Sequence, residues 1–268
     1  MSAESIDKGY LASWEVPAYE KHIFWDAKSR YAVLVPVINE GARVQAQLKR
    51  MAAIPGMPDI IIGDGGSKDG SLGFDFLKSC NVRALLVKTG PGKLSAQLRM
   101  CFDFALKEGY DGVVTIDGNN KDSVESIPAF VAALESGFDY LQGSRYIKGG
   151  QEINTPWDRK LGLKYIHAPL ISMAAGVRYT DTTNGFRGIA RRVLLDPRVM
   201  PFREVFDTYN LHYYLSIRAA RLGYRIKEIP VIRAYPKDGP TPSKIGGFKG
   251  KAHVLKQMFL ACVGAYNP

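Results

Sequence analysis

The stretch GVVTIDGNNKD, Gly112 to Asp122, decides how the chain is read. Its first half is short, apolar and β-branched, which suits a buried strand. At Asp117 the run stops, and glycine, asparagine and charge take over, the residues of a turn. Other runs have the same form: YAVLVPV (31–37), DIIIGD (59–64), VRALLV (82–87) and DYLQG (139–143). Between them lie segments with helical spacing. In Arg43 to Ala53, Val44, Leu48 and Met51 share one stripe; Leu94 to Leu106 and Ile127 to Leu134 are two more such segments. This alternation predicts an α/β fold with a mostly parallel, Rossmann-like sheet flanked by helices, in a single domain. In such sheets ligands bind beyond the carboxyl ends of the strands. Polar residues gather there: Asn39 and Glu40 after the first run, Asp64 after the second, Asp117 after the fourth.

After Gly143 the character changes. GSRYIKGGQEINTPWDRK (143–160) is polar, glycine-rich and basic, and reads as a long functional loop. A helix is expected over about 161–175, then TDTTNGFRG (180–188), a helix over about 209–222, and a strand in RIKEIPVIR (225–233). Residues 1–30, with Trp14 and Trp25, read as an arm packed on the domain. Residues 248–268 read as an amphipathic helix with Leu255, Phe259, Cys262 and Tyr266 in its stripe. Its lysines, Lys249, Lys251 and Lys256, suit an anionic membrane surface. The same pattern also suits a helix that closes the domain, or a contact in a homo-oligomer.

The bulk properties narrow the class. The chain has 268 residues, 46% hydrophobic, and a formal charge of +10, which favours an anionic partner. No nucleic-acid motif or aromatic–basic repeat accompanies that charge, so nucleic acid is not the expected partner. Cys80, Cys101 and Cys262 form no C-x-x-C pair, which fits a reducing cytoplasm better than a disulfide or zinc framework. No signal-peptide core and no apolar run of ~18 residues is visible. The expectation is a cytoplasmic protein, soluble or peripheral at the cytoplasmic face of a membrane.

IIIGDGGSKDGS (60–71) runs from a strand into a glycine-rich turn. Such a turn can expose amides to an anion or a base; it can equally be a tight strand-to-helix connection. Taken together, VPVINE (35–40), GDGGSKDGS (63–71), IDGNNKD (116–122), GSRYIKGG (143–150), TDTTNGFRG (180–188) and SKIGG (243–247) resemble family 2 glycosyltransferases. The closest likeness is to the dolichol-phosphate mannose synthase-like enzymes, over about residues 31–250. GSRYIKGG and SKIGG are the more specific of these motifs.

The resemblance implies a GT-A fold over residues 31–247 and an inverting transfer of a sugar from a GDP- or UDP-linked donor to a polyprenyl phosphate. By position it implies that Pro36, Asn39, Glu40, Asp64, Gly66, Ser67, Lys93, Lys121 and Lys244 line the nucleotide side, with Asp64 on the base. Asp117 and Asn119 match the two metal-binding positions, and Lys121 stands where such enzymes often place a further polar metal contact. Arg145 and Arg159 match the arginines that hold the lipid phosphate. Asp117, Asn119, Arg145 and Arg159 are thus the implied catalytic group.

The chemistry agrees with most of these roles. A Mg²⁺ or Mn²⁺ ion on oxygen ligands would stabilise the diphosphate leaving group. With asparagine as its second ligand the site lacks one negative charge and is expected to hold the ion weakly; Lys121, if it points inward, could supply part of the positive charge. Paired arginines suit bidentate phosphate binding. A phosphomonoester with a second pKa of ~6 is largely anionic at neutral pH and needs no strong general base. For a hydroxyl acceptor, Asp122, Asp181 or His212 would have to act as base, and that alternative stays open. So does a sugar-nucleotide-binding protein without catalysis, which the departures at Gly65, Asn119 and Leu163 motivate. Arg187 can be read as a structural partner or as a phosphate contact, and Arg233 lies too far from SKIGG to match the family's arginine cleanly.

Overall fold

The structure is a computed structural model and describes residues 11–236 and 247–268. Strand β1 (Tyr19–Ile23) leads into β2 (Tyr31–Val37), helix α1 (Ala42–Ala52), β3 (Asp59–Asp64), α2 (Phe74–Ser79) and β4 (Val82–Lys88). Helix α3 (Leu94–Lys107), β5 (Gly112–Thr115), α4 (Ile127–Glu135), β6 (Tyr140–Ser144) and β7 (Gln151–Ile153) follow. Helix α5 (Trp157–Gly162) continues through a π-helical turn, Leu163–His167, into α6 (Ala168–Ala175). The remainder is β8 (Arg187–Ala190), α7 (Arg191–Leu194), α8 (Asn210–Arg221), β9 (Ile226–Pro230), β10 (Ile232–Ala234) and α9 (Gly247–Cys262).

Eight strands form one sheet in the order β1-β4-β3-β2-β5-β8-β6-β9. β4, β3, β2 and β5 are mutually parallel, as are β6 and β9, while β1 and β8 run antiparallel to their neighbours. The sheet is therefore mostly parallel, as the alternation predicts. Both of its faces are covered. In β2, Ala32 and Leu34 pack into one core layer, and Val33, Val35 and Val37 into the other. A strand buried on both faces reads as an unbroken apolar run, which is why YAVLVPV was so legible. Helix α1 buries Val44, Leu48 and Met51, the stripe expected from sequence. Truncating a side chain such as Leu48 would cost about 2–5 kcal/mol.

Three local readings change. Trp14 stacks on Phe202 at 3.9 Å, as an arm would, but β1 also adds an antiparallel edge to β4. Its sequence, YEKHI, is too polar to announce a strand. The strand expected over 225–233 divides at Val231, whose N–H still donates to the Ser144 carbonyl of β6 while its own carbonyl accepts from Gln151 N–H at the start of β7. β9 stays in the main sheet, and β10 pairs with β7. In α9 Val254, Gln257, Met258 and Ala261 are buried against α6 and α8; of the expected stripe, Leu255 and Cys262 are partly buried on the same core and Tyr266 is buried. Phe259, expected in that stripe, is exposed. The helix thus spends its apolar face on the core. Among the described residues no helix is long and apolar enough to cross a membrane.

Candidate active site

The carboxyl ends of β2, β3 and β5 lie side by side. Gly65 N–H donates to Val37 carbonyl at 2.8 Å, and Gly118 N–H to Pro36 carbonyl at 3.3 Å. Gln97, buried on α3, ties the same edge together: its Nε2 donates to the carbonyls of Val37 and Gly63, each at 2.9 Å. Asn39 stands in the left-handed region with φ +48. Its N–H reaches Ser67 Oγ at 2.9 Å, and its Oδ1 accepts from Lys68 N–H at 2.8 Å. Gly41 N–H bonds Asp69 Oδ2 at 2.8 Å, so the loops after β2 and β3 are laced together. Asp64 caps its own turn, accepting from Ser67 N–H at 3.0 Å and from Ser67 Oγ at 2.6 Å. Glu40 pairs with Arg43 at 2.9 Å. Pro36 closes β2, Gly66 holds φ +95 in the turn, and Lys93 N–H bonds the Asp207 carbonyl at 2.7 Å. Lys244 lies outside the described residues.

Beyond β5, Asp117 Oδ2 accepts from Arg233 Nη2 at 3.1 Å and from Asn119 Nδ2 at 3.3 Å. Arg233 Nη1 holds Asp122. Burial alone would raise the Asp117 pKa; Arg233, followed by Lys121, outweighs it and holds the carboxyl below its usual range. Asp122, almost fully buried, is pushed up by burial despite Arg233. The backbone supports the cluster: Asp122 and Arg233 form an isolated antiparallel bridge, and Ala234 N–H bonds the Lys121 carbonyl at 2.8 Å. Gly185 makes room for the carboxylate, since a Cβ there would lie 2.6 Å from Asp117 Oδ1.

Tyr235 is the hub of this end of the sheet. Lys121 Nζ lies 5.0 Å from its ring centroid, and the guanidinium carbons of Arg159 and Arg233 lie at 5.7 and 5.8 Å. Burial would raise the phenol pKa, but Arg233, Lys121 and Arg145 together bring it below the usual value. An electron-rich ring among several cations makes a compact cationic cluster. Arg159, the second arginine implied by resemblance, therefore joins Lys121 and Arg233 at the Tyr235 ring.

Arg145 has different company. Its Nε lies 2.6 Å from Asp181 Oδ2, Nη2 lies 3.0 Å from both Asp181 Oδ1 and Thr183 Oγ1, and the residue is buried. Its charge is felt at Tyr235, but its hydrogen bonds order the loop after α6. Arg187 is a core arginine. It donates to the Asn184 and Thr182 carbonyls, the His212 carbonyl, Tyr140 Oη and Ser216 Oγ. His212 is buried, and burial, followed by Arg187, drives its pKa well below the ordinary value. The candidate bases Asp122 and Asp181 are each held by an arginine in the interior.

Arg233 and Tyr235 were the residues that sequence reading undervalued. Both are buried while Ile232 is exposed and Ala234 intermediate, the period-two signature of one strand face. In IRAY (232–235) the apolar residues at 232 and 234 would be read as the buried face, the opposite of what the structure shows. The extra residues before SKIGG concealed Arg233 further.

No family model matches the chain. It is 28% identical over 207 residues to the polyprenol monophosphomannose synthase of Mycolicibacterium smegmatis, covering 75% of this chain and 76% of that one. It is 25% identical over 228 residues to the undecaprenyl-phosphate mannosyltransferase of Micrococcus luteus, covering 84% and 91%. Among solved structures, glucosyl-3-phosphoglycerate synthase from Mycobacterium tuberculosis with Mn²⁺, UDP and phosphoglyceric acid superposes with a TM-score of 0.64. That match has 16% identity and covers 89% of this chain and 79% of the other. The same synthase with Mg²⁺ and UDP gives 0.62 at 18% identity, covering 87% and 78%. At such identity the structural likeness speaks for the fold. The chain is a GT-A-fold relative of the polyprenyl-phosphate mannosyltransferases.

Proposed function

We propose that the chain transfers a sugar, with inversion, from a nucleoside-diphosphate donor to a polyprenyl phosphate. The observation that carries this reading is the cluster of Lys121, Arg159 and Arg233 around Tyr235, tied through Arg233 to Asp117 beyond the strand edge. The loops at 39–41 and 64–69 supply the nucleoside side; the cations supply the phosphate side. The acceptor phosphate oxygen attacks the anomeric carbon as the bond to the donor's β-phosphate breaks. The departing electron pair remains on the β-phosphate oxygen, and no proton transfer is required. This fits a site whose two candidate carboxylate bases, Asp122 and Asp181, are held by arginines. A hydroxyl acceptor would need one of them free, or would have to reach the buried His212.

The lipid acceptor calls for a membrane surface. From α5 to α6, Trp157, Leu161, Tyr165, Ile166 and Met173 are exposed, Trp157 at 75%. Lys160 and Lys164, also exposed, stand among them. Exposed aromatic and aliphatic groups interleaved with lysine suit the interface of an anionic bilayer. Arg159, on α5, would then hold the phosphate at the membrane border. We assign the cytoplasmic face, in keeping with cysteines that stand free of disulfides.

The structural relatives were solved with Mn²⁺ or Mg²⁺. In this chain a divalent ion would meet Asp117 and Asn119, and those residues do not fit it as they stand. Asn119 turns its amide nitrogen toward Asp117, and Arg233 already holds the carboxylate. Among the described residues no group of three or more His, Cys, Asp or Glu side chains could hold a metal.

The transfer is checked by incubating purified protein with polyprenyl phosphate and a panel of GDP- and UDP-sugars. Release of one nucleoside diphosphate together with a glycosylated lipid phosphate is expected. Hydrolysis or transfer without lipid phosphate would sink the acceptor assignment.

A further inference from the structure

Arg233 and Lys121 stand where the resemblance implied a metal ion and one of its contacts. The terminal nitrogens of Arg233 reach Asp117 and Asp122, and Lys121 lies close enough for its charge to act on both carboxylates. Two monovalent cations facing two carboxylates reproduce the charge balance of one divalent ion between two carboxylates. Their backbones are joined by the Asp122–Arg233 bridge and the Ala234-to-Lys121 hydrogen bond. The segments that carry the cations are thus held together, and Arg233 is preorganised by its carboxylate contacts, so that little rearrangement is needed when charge develops nearby.

We propose that this chain binds the donor's diphosphate with its own resident cations, Arg233 and Lys121, and needs no divalent ion to do so. The inference rests on the transferase reading above. A guanidinium presents several N–H groups in one plane and suits phosphate oxygens, while an ammonium supplies a mobile point charge. When the sugar carbon leaves the β-phosphate oxygen, the electron pair gained there is met by these two groups. The acceptor oxygen provides the pair for the new bond, and nothing is oxidised or reduced. Replacement of the second aspartate by Asn119 belongs to the same arrangement, because a site with resident cations has less need of another anionic ligand.

The full-length chain would be titrated calorimetrically with UDP and with GDP, in EDTA and then in Mg²⁺ or Mn²⁺. One nucleotide is expected to bind with the same affinity in all conditions, within about twofold. Lys121→Gln should weaken binding in EDTA roughly tenfold or more, the loss of one charge-assisted contact. Combining Asn119→Asp with Lys121→Gln should make binding depend on the metal. Arg233→Gln leaves Asp122 buried without its partner, so the Lys121 variants carry the comparison if that protein fails to fold. Binding of the parent only with metal overturns the proposal but preserves the nucleotide reading. Unchanged binding by Lys121→Gln in EDTA also overturns it. No binding of either nucleotide by folded protein, under any condition, overturns the nucleotide reading and this inference with it.

Discussion

Arg145 and Asp181 form a two-point ion pair in the protein interior, with Nε 2.6 Å from Oδ2 and Nη2 3.0 Å from Oδ1. Asp181 is itself fixed at its backbone, where its N–H donates to Glu228 Oε1 at 3.2 Å. Burial would lower the Arg145 pKa, but the Asp181 charge raises it above the usual value. The arginine implied as an acceptor contact therefore also holds the 180–183 loop beside the cationic cluster. Arg145→Ala leaves a buried carboxylate unpaired and is expected to cost about 3–5 kcal/mol of stability. Urea unfolding measures it. A loss below about 1 kcal/mol would mean that Asp181 is satisfied without Arg145.

Gly185 offers a cleaner probe of Asp117. A methyl group there would meet Asp117 Oδ1 at 2.6 Å, so Gly185→Ala must displace the carboxylate or the 184–186 backbone. The expected result is a folded protein whose kcat/KM falls roughly ten- to a hundredfold. Steady-state release of nucleoside diphosphate, beside a thermal melt, separates this outcome from unfolding. Unchanged turnover would show that Asp117 has no positional role.

Burial lowers the pKa of His167 from an ordinary 6.5 to about 4. The unfolded chain therefore takes up a proton here at a higher pH than the folded chain does. Above pH 6.5 this group brings no penalty; as pH falls from 6.5 toward 4, folding stability declines. The limit is about 3 kcal/mol, less by the share of the ring that solvent reaches. His167→Gln should flatten the pH dependence of urea unfolding in that window. A slope that survives the substitution would belong to another group, with His212 next in line because its pKa is also depressed.

Trp157 and Tyr165 project from adjoining helical turns, 75% and 65% exposed. Replacing both by serine should reduce binding to anionic phospholipid vesicles by tenfold or more, at roughly 1.5–3 kcal/mol per large apolar side chain withdrawn from water. Activity on a short, water-soluble polyprenyl phosphate should be retained. Co-sedimentation reports the first effect and nucleotide release the second. Equal vesicle binding by parent and variant would remove this face from the membrane assignment.

The sequence alone determined the parallel strands β2 to β5 and their carboxyl edge. β2 and β3 occupy the residues expected of them, and α1 and α3 agree to within one residue at each end. These features are local: a run buried on both faces is apolar throughout, and a helix leaning on a sheet repeats its apolar residues every third or fourth position. The motifs also identified Asp64, Asp117, Arg145 and Arg159 as residues to examine.

Only the tertiary structure decided what each charge faces. Arg233 meets Asp117 across 116 residues of chain, and Arg145 meets Asp181 across 36. At Val231 the chain passes from β6 to β7, which delivers Arg233 and Tyr235 to the site, and packing against α6 and α8 leaves Phe259 of α9 exposed. Periodicity records how much of an element is buried; it carries no record of its partner. Charge pairing depends on distances of a few ångströms between segments that only the folded sheet brings together.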